Sequence, residues 1–382
     1  MADINVLMVG GRRCGKTSVL SSMFYQIING PANQVFTLAD TTDYMIEKRN
    51  ENTGEMERAD VLDYKRMELV NIIDTGGNGQ FIVDQNPTNN FWDYVLSVAI
   101  ANRPNHYLTI NFRDAAGEVF EAGNRFYDDA MNYANSCDVI IIAVDTPYLM
   151  SDKSSIVDGA NRSSEIGTLL KTWLMNGDNT EKMVLFVPVK CEKWIKEGKI
   201  DEVIDKIKTL YEDSIKALLE PQNVKVNIIS VETAGGIQFV ELRKAYSLYK
   251  PGWPAPKKCC LPYEENEAIV ILEDGRVHPV ESDETVDEDM NATFPGVNIH
   301  RPNAWYCIPQ GAKYAPKNCE QLPLHILRFL FNKKMNHMSG GVINLLRGFF
   351  GCITLQDMED ALRQVGIQII DQGEGIEVLN ME

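Results

Sequence analysis

Residues 10–17 read Gly-Gly-Arg-Arg-Cys-Gly-Lys-Thr, a glycine-rich turn that closes on a lysine and a hydroxyl. Glycines at the first and sixth positions let backbone N–H groups converge on phosphate oxygens, and a helix opening behind them adds the positive end of its dipole. In such a loop Gly10, Arg12, Arg13, Cys14, Gly15, Lys16, Thr17 and Ser18 surround the phosphates. Lys16 reaches the β- and γ-phosphates as a point charge, and the Thr17 hydroxyl ligates Mg²⁺. Either Arg12 or Arg13 is placed to offset charge on a transferred phosphoryl group or, turned outward, to offset local acidity. Cys14 reads as a small loop residue.

This motif requires a strand before it and a helix after it. Residues 4–9 form an apolar run, and Val19, Leu20, Met23, Phe24, Ile27 and Ile28 recur at helical spacing behind the loop. Further short apolar runs at 107–112, 138–144, 183–189 and 226–229 have the two-faced hydrophobicity of parallel strands covered by helices. Helical periodicity lies between them, at Ile166, Leu169, Leu170, Trp173 and Leu174 and again at Ile204, Ile207, Leu210, Tyr211, Ile215 and Leu218. Pro221 stops the second of these. The alternation predicts an α/β fold with a doubly wound, mostly parallel sheet.

Two stretches interrupt the rhythm. Residues 29–86, with helix-like patterning at 44–49 and 56–73, read as a helical insertion within a core spanning 1–249. Residues 250–321 are rich in Pro, Asn and Gly, carry an acidic run at 281–289 and a strand at 268–272, and read as a smaller, loop-rich insertion. Over 322–382, an amphipathic helix at 322–335 and a helix then strand at 353–379 complete or flank the core.

A second acidic motif ends the run at 107–117 (YLTINFRDAAG). Asp114 at a strand's carboxyl end would hold Mg²⁺ through water, and the Gly117 N–H would meet a γ-phosphate. Residues 71–77 (NIIDTGG) compete, with Asp74 ahead of glycines and Thr41 and Thr42 upstream. Asp114 is preferred because its strand is longer and a hairpin leads to it: strand 91–100, then a turn at 102–105. With Pro87-Thr88 ahead of that hairpin, the order of motifs resembles the P-loop GTPases of the Ras-like (TRAFAC) class. The long excursion before Thr88 is similar to the bacterial double-GTPase-like proteins.

That resemblance implies Mg²⁺ and GTP or GDP as ligands, with Thr17, Thr88 and Asp114 around the metal. Thr88 would be the switch I hydroxyl, capping Mg²⁺ only when a γ-phosphate is bound. Lys16, Thr88 and Glu118 would stand nearest the reaction. Many members carry a water-orienting glutamine after the DxxG glycine. Glu118 stands there in this chain, and its carboxylate accepts hydrogen bonds but donates none to a γ-phosphate, which implies slow intrinsic hydrolysis.

The family reads guanine with an N/T-K-x-D motif after the next long strand, matched here by Val189-Lys190-Cys191-Glu192. Lys190 would lay its stem along the purine, and Glu192 would accept from the N1 and N2 donors. Val189 replaces a bracing polar residue, and Glu is one methylene longer than Asp. Residues 230–236 (SVETAGG) resemble the family's loop for the guanine O6, with Ser230 and Val231 as its contacts. The implied function is a GTP-hydrolysing switch acting on a protein effector or regulator. A GTP-bound scaffold with little turnover and a P-loop ATPase or kinase are the alternatives.

Bulk properties narrow the partners. The net charge of −17 repels nucleic acid and anionic membranes. An apolar content of 44% suffices for one large or two ordinary cores. No apolar run approaches the roughly 18 residues of a membrane span; the nearest candidate, 340–350, is short and holds an arginine. The N-terminus lacks the basic region of a signal peptide. Eight cysteines without CxxC spacing read as reduced thiols of a cytoplasmic protein.

Overall fold

The computed structural model describes residues 2–11, 13–41, 45–49, 56–76, 81–83, 92–100, 107–120, 123–176, 180–248, 257–261, 269–271, 277–279, 297–299, 303–336 and 354–380. Its centre is a mixed, mostly parallel sheet covered by helices on both faces. The strands are β1 (Ala2–Gly10), β2 (Phe36–Asp40), β3 (Trp92–Ile100), β4 (Tyr107–Ala116), β5 (Val139–Asp145), β6 (Lys182–Val189), β7 (Val224–Ile229), β8 (Gln372–Gly373) and β9 (Ile376–Leu379). They lie in the order β8-β9-β7-β6-β5-β1-β4-β3-β2. The five inner strands, from β7 to β4, run parallel. Antiparallel strands close both edges, β3 and β2 on one side and β9 and β8 on the other.

The longer helices among the described residues are α1 (Lys16–Asn29), α2 (Val61–Gly76), α3 (Tyr127–Asn135), α4 (Ser154–Asn161), α5 (Ser163–Asn176), α6 (Ile200–Leu210), α7 (Glu212–Leu219), α8 (Gln321–Asn336) and α9 (Leu355–Gln364). Alternation along each strand sorts side chains between the two layers. Val6 and Met8 of β1 join α1, α8 and α9 in one core. Leu7 and Val9 join α3, α5, α6 and α7 in the other. Strands β5 and β6 are buried at every residue, as both-face coverage demands.

The five strands expected from apolar runs are present, as is the β3–β4 hairpin, whose register sets Trp92 opposite Asp114. The helix expected at 44–49 is instead strand Met45–Arg49, paired antiparallel with Met56–Asp60. In the 56–73 stretch, helix begins only at Val61. The register sets Glu47 opposite Arg58 and Lys48 opposite Glu57, and five residues are too few for a helical pattern to outweigh backbone pairing.

A second sheet centres on Gln238–Leu248, a strand that begins ahead of position 250, where sequence placed the start of the late insertion. It pairs with Lys257–Leu261, Val297–Ile299 and Asn303–Cys307. Phe81–Val83, from the earlier insertion, pairs with Asn303–Cys307, so the two insertions share this sheet. Arg12, Thr88, the turn at 102–105, the acidic run at 281–289 and residues 340–350 lie outside the described residues. Among those described, no helix is long and apolar enough to cross a membrane.

Candidate functional site

The glycine-rich turn joins β1 to α1, and its shape follows from close backbone packing. A Cβ on Gly10 would lie 2.5 Å from the Ala143 carbonyl oxygen of β5, and one on Gly11 only 1.8 Å from that of Ala160 in α4. Gly15, at the helix start, has φ 101°, the left-handed region that glycine enters without cost. Among the described residues no side chain caps α1, and its first turn holds no acid, so its N-terminal N–H groups and dipole face the turn.

Lys16 is buried and folds back over the loop, donating to the carbonyls of Gly10 (3.1 Å) and Gly11 (3.2 Å). Its Nζ lies 3.7 Å from Asp114 Oδ1. Thr17 Oγ1 donates to Asp114 Oδ2 at 2.8 Å. Asp114 is itself buried at the end of β4. Tyr94 of β3 stands close to this pair, and burial, reinforced by the Asp114 charge, pushes its hydroxyl pKa up. Asp74, the rival acid, is exposed near the end of α2. Burial holds the Cys14 thiol above its usual range, so it is no nucleophile. Gly117 and Glu118 open the short helical turn Gly117–Phe120 directly after β4.

At the other end of the site, Lys190 follows β6 with φ 61°. Its Nζ donates to the Arg13 carbonyl and to Asp145 Oδ2, each at 3.0 Å. The stem therefore runs from β6 to the phosphate loop, where a Cβ on Gly15 would meet its Cε at 3.6 Å. Asp145 is fixed in turn by its N–H, which donates to Asn161 Oδ1 at 2.7 Å.

Glu192 is buried, and its Oε1 accepts from the N–H groups of Ala234 (3.0 Å) and Gly235 (3.3 Å). Burial raises its carboxyl pKa, and these N–H groups counteract the shift. Ser230 and Val231, the expected base contacts, open the 230–236 loop. The Ser230 N–H donates to Gly375 and the Val231 N–H to Pro188, so both are engaged by neighbouring strands and turns. Both side chains are fully buried. It is Ala234 and Gly235 that meet Glu192. Sequence reasoning also passed over Asp145, Asn161 and Ala160; only the Gly235-Gly236 pair gave a local signal of close approach.

No family model and no curated protein matches the chain. Among solved structures, the GTPase-like domain of Ski7 from S. cerevisiae, bound to GDP and inorganic phosphate, aligns at 10% identity with a TM-score of 0.29. The alignment covers 82% of this chain and 72% of that one. A likeness that loose decides neither family nor ligand.

Proposed function

We propose that this chain binds GTP and GDP with Mg²⁺, hydrolyses GTP slowly, and acts as a nucleotide-dependent switch on a protein partner. The carrying observation is the Thr17–Asp114 hydrogen bond beside Lys16. It joins a hydroxyl at a helix start to a carboxylate at the end of the adjacent parallel strand, with the loop N–H groups close by. Hard oxygens of this kind suit Mg²⁺, which keeps several waters and takes one or two carboxylates plus substrate phosphates. Bound there, the ion would neutralise charge on the β- and γ-phosphates.

In this reading each residue takes the role its motif implies. Gly10, Arg12, Arg13, Cys14, Gly15 and Ser18 line the phosphates, and Lys16 exchanges its carbonyl partners for phosphate oxygens. Thr17 and Asp114 hold the ion, with Thr88 joining when a γ-phosphate is present. The Gly117 N–H meets that phosphate, and Glu118 stands next to the attacking water without a proton to donate. Lys190 supports the purine, and Glu192 with the 234–235 backbone forms the edge that selects guanine. A partner would read the segments around Thr88 and 117–133. Buried unpaired thiols at Cys14, Cys137, Cys191 and Cys319 suit a reducing, cytoplasmic compartment.

Calorimetric titration with GTP and ATP in magnesium, followed by single-turnover hydrolysis, tests this reading. ATP binding as tight as GTP would make the chain a P-loop ATP-binding protein. Tight GTP binding without turnover would make it a GTP-bound scaffold.

A further inference from the structure

We infer that residues 313–319 form a strap that positions the base-recognition loop and so sets how fast nucleotide leaves, an inference that rests on the guanine-nucleotide reading above. This segment, where the chain returns from the second sheet, lies antiparallel against the loop, with Lys317 opposite Glu232. The Lys317 N–H donates to the Glu232 carbonyl at 2.9 Å, the Glu232 N–H returns to Lys317 at 3.1 Å, and the Ala315 N–H donates to Ala234 at 2.9 Å. The approach is so close that a Cβ on Gly235 would lie 2.0 Å from the Ala315 carbonyl oxygen, and one on Gly236 2.6 Å from that of Lys313. The glycine pair is therefore demanded by the strap.

Side chains extend the contact to α1. Tyr314 OH donates to Ser22 Oγ (2.7 Å), which donates to the Thr233 carbonyl (2.6 Å). Gln26 Oε1 accepts from the Cys319 N–H at 2.8 Å. Lys317 Nζ reaches Glu232 Oε1 at 2.7 Å, and Asn318 bridges the carbonyls of Ser230 and Glu374. The carbonyls of Glu232, Thr233 and Ala234 are thus all held, while the Ala234 and Gly235 N–H groups point to the Glu192 carboxylate. Lys16 and Thr17 are held instead by Gly10, Gly11 and Asp114. Displacing the strap would loosen the base edge while leaving the phosphate loop intact, so a factor that moves this returning segment would act as an exchange handle.

The test uses the full chain carrying Lys317→Ala, Tyr314→Phe, or both, with Lys317→Arg as the conservative control. A fluorescent GDP derivative reports the dissociation rate, and magnesium tripolyphosphate titration reports the phosphate loop alone. Each single change should speed GDP release about three- to tenfold, as loss of one hydrogen bond allows, with tripolyphosphate affinity unchanged and Lys317→Arg near wild type. Unchanged release in both variants, or equal weakening of GDP and tripolyphosphate, would overturn the strap's role. A wild-type chain that holds tripolyphosphate but not GDP would overturn the guanine reading, and the inference with it.

Discussion

Thr17 and Asp114 stand 97 residues apart in the chain, yet the Thr17 hydroxyl donates to Asp114 Oδ2 at 2.8 Å. The parallel register of β1 and β4, with Gly10 opposite Ala116, brings the glycine-rich turn and the 114–117 motif to the carboxyl ends of adjacent strands. Ligands bind outside the carboxyl ends of parallel strands for this reason. One hydrogen bond therefore records a convergence that the whole sheet enforces.

The two rival acids differ sharply in setting, and their variants should differ likewise. Asp114→Asn should weaken magnesium-dependent GTP binding about ten- to hundredfold, the effect of losing a charged hydrogen-bonding partner. Asp74→Asn, on the exposed end of α2, should leave it unchanged. Titrations with and without magnesium would decide, and greater damage from the Asp74 change would displace the metal site from β4.

Gly11 leaves no room for a methyl group, with the Ala160 carbonyl oxygen 1.8 Å from where one would stand. Gly11→Ala must push α4 away from the phosphate loop. Overpacking of this kind costs about 1–3 kcal/mol or more. Urea melts should show that loss together with weakened nucleotide binding; a variant of wild-type stability would mean that α4 yields freely.

Glu192 both braces the 230–236 loop and, on the reading above, selects the base. Glu192→Ala should weaken GDP about ten- to hundredfold and leave tripolyphosphate binding alone. Glu192→Gln separates the roles, because it keeps an acceptor for Ala234 and Gly235 but removes the charge. GDP affinity should remain low in Glu192→Gln, and full recovery there would reduce Glu192 to a brace.

His325 gives a pH signature. It is buried between β7 and the C-terminal hairpin, accepting from Asn227 Nδ2 at 2.8 Å through Nδ1 and donating to the Ile370 carbonyl at 2.9 Å through Nε2. Burial, with the Arg328 guanidinium beside it, lowers its pKa to about 4. The folded chain then binds fewer protons than the unfolded one between about pH 6.5 and pH 4, so stability falls as pH falls through that window. The full effect is about 3 kcal/mol, and it is complete below pH 4. Denaturant melts at pH 7 and pH 4.5 should show the decline, and His325→Gln should remove most of it; an unchanged slope in the variant would assign the acid sensitivity elsewhere.

Much of this architecture was legible without coordinates. Residues 4–9 and 138–144 are apolar on both faces, and such runs have few fates other than buried parallel strands. Gly10, Gly15, Lys16 and Thr17 form a contiguous motif, so their meeting needs no tertiary information. The pairing of 45–49 with 56–60 was missed because five-residue segments cannot separate a strand period of 2 from a helical 3.6 when charges are mixed.

By itself, then, the sequence determined what is local: the glycine-rich turn between strand and helix, the alternation of strands and helices, and the acid near the end of β4. Tertiary structure decided which backbone donors of the 230–236 loop meet Glu192. Ser230 and Val231 are as polar at the main chain as Ala234 and Gly235, but Gly375 and Pro188, distant in sequence, take their N–H groups. It also decided that residues 313–319 lie across that loop, because pairing between segments some 80 residues apart depends on how intervening elements fold back. Hydrogen-bond partners reached through space leave no periodicity in the chain, whereas burial along a strand does.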